Sequence, residues 1–119
     1  MADQAMPSVA GKGPAFAREM VATLREIDGS LDGLSSGAAE KVKVLCGEKA
    51  SEMESLVTRA YMKTVKAGEI AWQCSQMAQQ LKASIAAGDE ARVVETADKL
   101  AAELGDLINK TKNFVVRMT

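Results

Sequence analysis

The chain has 119 residues, with 15 Lys and Arg against 16 Asp and Glu, a net charge of −1, 47 % apolar residues, 3 % aromatics and no histidine. That length supports one domain with a modest core, and the near-neutral, interspersed charge lacks the basic face of a nucleic-acid binder or of a protein held on anionic lipid. The absence of histidine removes imidazole acid/base chemistry, the common catalytic triads and most zinc sites.

Residues 1–13 read as a flexible N-terminal arm, rich in Ala, Gly, Ser and Pro with little to bury. No basic stretch followed by an apolar one marks a secretory signal. No apolar run approaches the roughly 20 residues that span a bilayer, and no myristoylation or CaaX motif is present. A cytoplasmic protein is expected, with membrane binding disfavoured. Gly13 and Pro14 then start a helix, because proline at the first helical position loses no hydrogen bond. Phe16, Met20, Leu24, Ile27 and Leu31 follow at helical spacing. The run DGSLDGLSSG at 28–37 ends that helix with turn formers and three glycines, tucking Leu31 and Leu34 beneath it.

A second helix should start near Ser36 or Gly37, with Glu40 in its first turn where the helix dipole favours an acid. Seven-residue columns then run through the middle of the chain. One reads Cys46, Met53, Ala60, Ala67, Cys74, Leu81; the next reads Ala50, Val57, Thr64, Ala71, Ala78, Ile85. A third supplies Val42, Leu56, Ile70 and Met77, with Lys49 and Lys63 as polar exceptions. The columns keep phase across Gly47 and Gly68, and no proline follows Pro14. The reading favoured is one central helix over 38–87, roughly 75 Å long if straight. The alternative breaks it at VKAGE, 65–69, with Gly68 as a left-handed C-cap. On one helix Cys46 and Cys74 would stand roughly 40 Å apart, beyond disulfide reach. Both are expected to be free, buried thiols in a reducing compartment.

Gly88 and Asp89 form the clearest boundary, the glycine ending one helix and the aspartate capping the next. The last helix carries columns Val93, Leu100, Leu107, Phe114; Ala97, Leu104, Thr111, Met118; and Val94, Ala101, Ile108, Val115. Three apolar positions in seven make a stripe too broad for a two-stranded coiled coil, so this helix expects two neighbours. Asp89 and Glu90 at its start and Lys110, Lys112 and Arg117 at its end suit the dipole.

The fold expected is therefore all-α: an up-and-down antiparallel helical bundle in one domain, 14–119, with a short first helix, a long central helix and a long C-terminal helix. With a continuous central helix each half is two helices thick. The stripe then stays partly exposed, and a homodimer completes the bundle. A break near Gly68 gives a closed monomer instead. Candidate interaction residues are Met53, Leu56, Ala60 and Trp72 in the central segment, with Leu100, Leu104, Leu107 and Ile108 in the last helix.

Other constellations read blandly. The carboxylates Glu48, Glu52, Glu54, Asp98, Glu103 and Asp106 lie mostly off the apolar columns beside lysines, as solvated faces do. Lys49 and Lys63 are read as stems reaching out of the seam, or else as polar residues that fix register. Met53, Met62 and Met77 either fill the core or make an adaptable surface. Trp72 could anchor a partner or pack at the bundle's edge. Gly105 either permits a close crossing or is a chance surface residue.

Within ADKLAAELGDLINKTK, 97–112, the pattern Leu104-Gly105-Asp106-Leu107-Ile108 followed by Thr111-Lys112 resembles a helix of the talin rod. More loosely it resembles helices of the vinculin and focal-adhesion-targeting bundles. That resemblance implies a cytoskeletal adaptor of helical-bundle type, docking through Leu100, Leu104, Leu107 and Ile108. The function expected is a non-enzymatic protein-interaction module, a small adaptor or scaffold that self-associates and packs helices with a protein partner. No catalytic, metal or cofactor site is expected. The alternative is a small chaperone or carrier that shields an amphipathic segment or an apolar ligand.

Overall fold

A computed structural model describes residues 9–114, and the regular structure among them is entirely helical. Helix α1 spans Gly13–Asp28. Pro14 starts it, and Gly29 stops it with its N–H bonded back to the Glu26 carbonyl. Its buried face is Ala17, Met20, Val21, Leu24 and Ile27; the expected Met20, Leu24 and Ile27 are on it, whereas Phe16 is only half-buried. Leu31 is buried beneath the following loop, and Leu34 packs against the core.

The second helical segment is a rod in three parts: α2 over Ser36–Val44, a π-helical turn over Leu45–Lys49, and α3 over Ala50–Glu54. Ser35 caps it by accepting from the Ala38 N–H at 3.4 Å. The backbone stays right-handed helical through Val44 and Ala50, so the three parts run on without a break. The π turn widens the ladder by one residue, while Val42, Leu45, Cys46, Ala50 and Met53 still face inward.

The central segment does not continue as one helix to residue 87, nor does it break at Gly68. Regular α-helix stops after Glu54 and resumes at Val65, with a short 3-10 turn over Ala60–Lys63 between. Arg59 and Thr64 are both extended there, at ψ 151° and 158°. Thr64 is the reason the restart falls where it does. Its hydroxyl oxygen accepts from the Ala67 N–H at 3.1 Å and its O–H donates to the Tyr61 carbonyl at 2.8 Å. Helix α4 then spans Val65–Ala87, with Gly68 inside its first turns. Gly88, at φ 71°, is its left-handed C-cap, and Asp89 caps α5, Glu90–Asn113, by accepting from the Arg92 N–H.

Side-chain pairs fix the arrangement. On one side Gln79 donates to Thr23 at 3.0 Å and Lys82 meets Glu26 at 2.6 Å, so α4 runs parallel to α1. On the other, Glu90 accepts from the Ser35 N–H, Lys41 meets Asp98 at 3.0 Å and Lys112 meets Glu52 at 3.1 Å, so the rod runs parallel to α5. Arg25 and Glu54 tie α1 to α3 at 2.6 Å. The chain therefore alternates direction from helix to helix, as an up-and-down bundle does. Its four corners read α1, α4, α5, rod: two hairpins set side by side.

This order explains the link over residues 55–64. It must cross the end of the bundle from the rod to the opposite corner, which no uninterrupted helix could do. Leu56, Val57, Tyr61 and Met62 are buried on the way and close the core from that end. Met62, fully buried, lies at the meeting of three elements. Its Sδ receives the Thr111 O–H from α5 at 3.6 Å, and its carbonyl lies against Gly13 at the start of α1. A Cβ on Gly13 would sit 2.1 Å from that oxygen, and one on Gly68 would sit 2.5 Å from the Val9 carbonyl. Two glycines therefore let three backbones meet at this end. Val9 itself is buried, so the last residues of the expected arm belong to the fold; residues 1–8 lie outside the described residues.

Candidate functional site

The residues singled out from the sequence fall into two groups. Met53, Leu56, Leu100, Leu104, Leu107 and Ile108 are buried in the chain's own core. Ala60 is exposed on the crossing link and Trp72 is half-buried on α4. The broad stripe of α5 meets α4 on one side and the rod on the other, which accounts for its width without a second chain. Phe114, at the end of that stripe, is 43 % exposed and packs its ring 5.3 Å from that of Tyr61. Val115, Arg117 and Met118 lie outside the described residues.

The other singled-out groups resolve individually. Lys49 is half-buried at the edge of the rod and Lys63 is exposed, as stems leading outward are. Met53 and Met62 are fully buried core, whereas Met77 is half-buried at the surface of α4. No atom lies within 4 Å of where a Gly105 Cβ would be, so no close crossing requires this glycine. Glu52, Glu54, Asp98 and Asp106 each pair with a lysine or arginine near the surface.

Both cysteines are free and buried. Burial, helped by Asp28, pushes the Cys46 thiol up to about 12. Burial, helped by Glu103 and Asp106, does the same to Cys74, also to about 12. Such thiols stay protonated at neutral pH and are poor nucleophiles and poor metal ligands. Among the described residues no group of three or more Cys, Asp or Glu side chains is placed to hold a metal ion. Among them also, no helix is long and apolar enough to cross a membrane.

An open groove of about 510 Å³ lies on the outside of the α4–α5 hairpin. Met77, Gln80, Ala83, Ser84 and Ala87 of α4 form one wall. Asp89, Arg92, Glu95, Thr96 and Lys99 form the other. The two walls differ in kind. From Ile70 to Leu81, α4 has no charged residue, and its outward positions are glutamines. The α5 wall carries charge at every position but Thr96, which is buried. A second groove, about 280 Å³, lies between α1 and the crossing link, with Val21, Ala22 and Val57 at its base. Arg18, Arg25 and Glu54 form its rim.

Of the groove-lining residues only Met77 was singled out in the sequence as a surface candidate; the rest were missed because polar positions off the apolar columns read as solvated surface. One signal was present: a charge-free outer face over several turns is unusual on a helix of a chain in which one residue in four is charged. Compared with protein families, characterised proteins and solved structures, the chain matches none.

Proposed function

We propose that the chain is a non-enzymatic protein-interaction module, a small helical adaptor or scaffold, and that its working surface is the outer face of the α4–α5 hairpin. One observation carries this reading. The groove there pairs a charge-free helix face, with Met77, Ala83 and Ala87 on it, against a polar rim. An uncharged patch of that kind gives up its water at little cost when a partner covers it, and the charged groups beside it set which partner fits. The private burial of Leu100, Leu104 and Leu107 supports moving the site from the inner stripe to this outer face. The resemblance of residues 97–112 to a talin-rod helix points to the same class of role, that of a cytoskeletal adaptor. The two free, protonated thiols support a reducing, cytoplasmic setting.

The test is site-specific photo-crosslinking in cells that express the protein. A benzoylphenylalanine replacing Gln80, in the groove, should give defined protein adducts, and one replacing Lys43, exposed on the rod, should give none. Adducts from Lys43 alone, or from neither position, would overturn the assignment of this face.

A further inference from the structure

The charges on the α5 wall are arranged in a way that names an occupant. Along the helix they read Asp89, Arg92, Glu95, Lys99, alternating in sign. Reversing that order and laying it against itself sets Asp89 opposite Lys99 and Arg92 opposite Glu95, each twice. Every pair is then of opposite sign. A parallel copy in register sets like charge on like; one offset by a turn also pairs opposite charges, but only three of them, and its contact is not two-fold and does not close. A surface that is complementary to its own reversed copy is what a two-fold symmetric, isologous interface requires.

We infer that the α4–α5 groove binds a second copy of this chain, with the two α5 helices antiparallel and crossing near residue 94. This deepens the interaction-module reading and rests on it. The uncharged face of α4 lets the pairing proceed without burying a charge beneath it. Gln80, Ala83 and Ala87 are exposed and Met77 is half-buried, so the partner's helix meets short or flexible side chains. Asp89 to Lys99 spans about 15 Å of helix rise, so the four charged pairs form a short seam flanked by the two α4 faces. Arg92 and Glu95, at the centre, are exposed, and neither carries weight in the monomer's fold. Lys99 reaches Glu95 within its own helix only at 4.0 Å. A copy of the chain thus finds Arg92, Glu95 and Lys99 nearly free to re-pair, and Asp89 offers the carboxylate oxygen that its cap to the Arg92 N–H does not use.

The experiment is a charge exchange read by light scattering on size-exclusion chromatography over a dilution series. Wild type should shift with concentration between the mass of one chain, 12.6 kDa, and twice that. Arg92→Glu alone sets two like-charged pairs at the centre, and so does Glu95→Lys alone. Each should raise the dissociation constant about tenfold or more. Mixed in equal amounts, the two variants restore every pair to opposite sign and should dimerise within about threefold of wild type. Circular dichroism on each variant checks that the fold is kept. Raising salt should weaken the wild-type dimer, because the pairs are exposed. Three results overturn the inference: a wild type that stays monomeric at every concentration, single variants that dimerise as wild type does, or a mixture no tighter than its components. Each of them leaves the interaction-module reading standing if Gln80 crosslinks a different protein. Loss of the Gln80 adducts would strike that reading separately.

Discussion

Glycines at four helical positions give a ranked prediction whose signs differ. Replacing a mid-helix glycine by alanine ordinarily stabilises by up to about 1 kcal/mol, through backbone entropy alone. Gly105→Ala should do so, since nothing stands within 4 Å of the added methyl. Gly47→Ala, equally open in the π turn, should follow it with a smaller gain. Gly68→Ala adds a methyl 2.5 Å from the Val9 carbonyl and 2.9 Å from its Cβ. The cheapest relief is to lift Val9 off, forfeiting about 1.5–3 kcal/mol of burial. Set against the helix gain, the net loss is about 1 kcal/mol. Gly13→Ala offers no such exit. Its methyl would lie 2.1 Å from the carbonyl of Met62, whose side chain is fully buried under the crossing link. Overpacking of that kind costs about 1–3 kcal/mol, and unseating Met62 adds to it, so the loss should be about 3 kcal/mol. Against a typical total of about 5–15 kcal/mol that is a large share. Urea unfolding followed by circular dichroism at 222 nm measures all four. A Gly13→Ala variant as stable as wild type would refute the three-way junction at Met62.

Three further outcomes follow from the same geometry. Thr64→Ala should cost about 1 kcal/mol by uncapping α4, whereas Thr64→Ser keeps both hydroxyl bonds and should recover most of it in the same urea titration. Leu104→Ala, at a fully buried position, should cost about 2–5 kcal/mol whether the protein is dilute or concentrated. A cost that shrinks on dilution would instead mark Leu104 as part of an interface between chains. The thiols predict alkaline behaviour. Their folded values of about 12 stand above the ordinary 9.0, so between those limits the folded state holds protons that the unfolded state releases. Their contribution to stability is full below pH 9 and is lost as pH rises toward 12. A Cys46→Ala/Cys74→Ala double variant should therefore lose stability less steeply above pH 9, and thiol reagents at pH 8 should react with wild type only as fast as it unfolds.

Much of this fold was legible because some of its signals are chemical. Gly88 and Asp89 mark their boundary through conformational freedom and a capping carboxylate, and Pro14 marks the start of α1 through its missing N–H. The stripe of α5 is dense enough in leucine to fix its inward face. The break between Glu54 and Val65 was hidden because alanines at 50, 60, 67 and 71 fill the columns before, within and after it. Alanine suits a helix in any phase, so it carries periodicity without specifying contact. Neither glycine nor proline marks the crossing; its signals are the capping Thr64 and the adjacent apolar pair Tyr61 and Met62, which one helix would point in different directions. The order of the corners follows from pairs such as Thr23 with Gln79, which no pattern within a single helix reveals. The groove was obscured for a related reason. Periodicity shows which side of a helix is apolar, but it is silent on whether an uncharged outer face such as Gln73, Gln76 and Gln80 meets water or another chain.

The central claim is that the α5 stripe belongs to the chain's own core, which leaves interaction to the outer face. Native-state hydrogen exchange at the Leu100, Leu104 and Leu107 amides tests it most directly. The account predicts that they exchange with the full free energy of unfolding measured in urea, because the stripe is uncovered only when the whole bundle opens. Exchange at several kcal/mol below that value would show α5 leaving the bundle by itself, and would return the inner stripe to the role of a docking site.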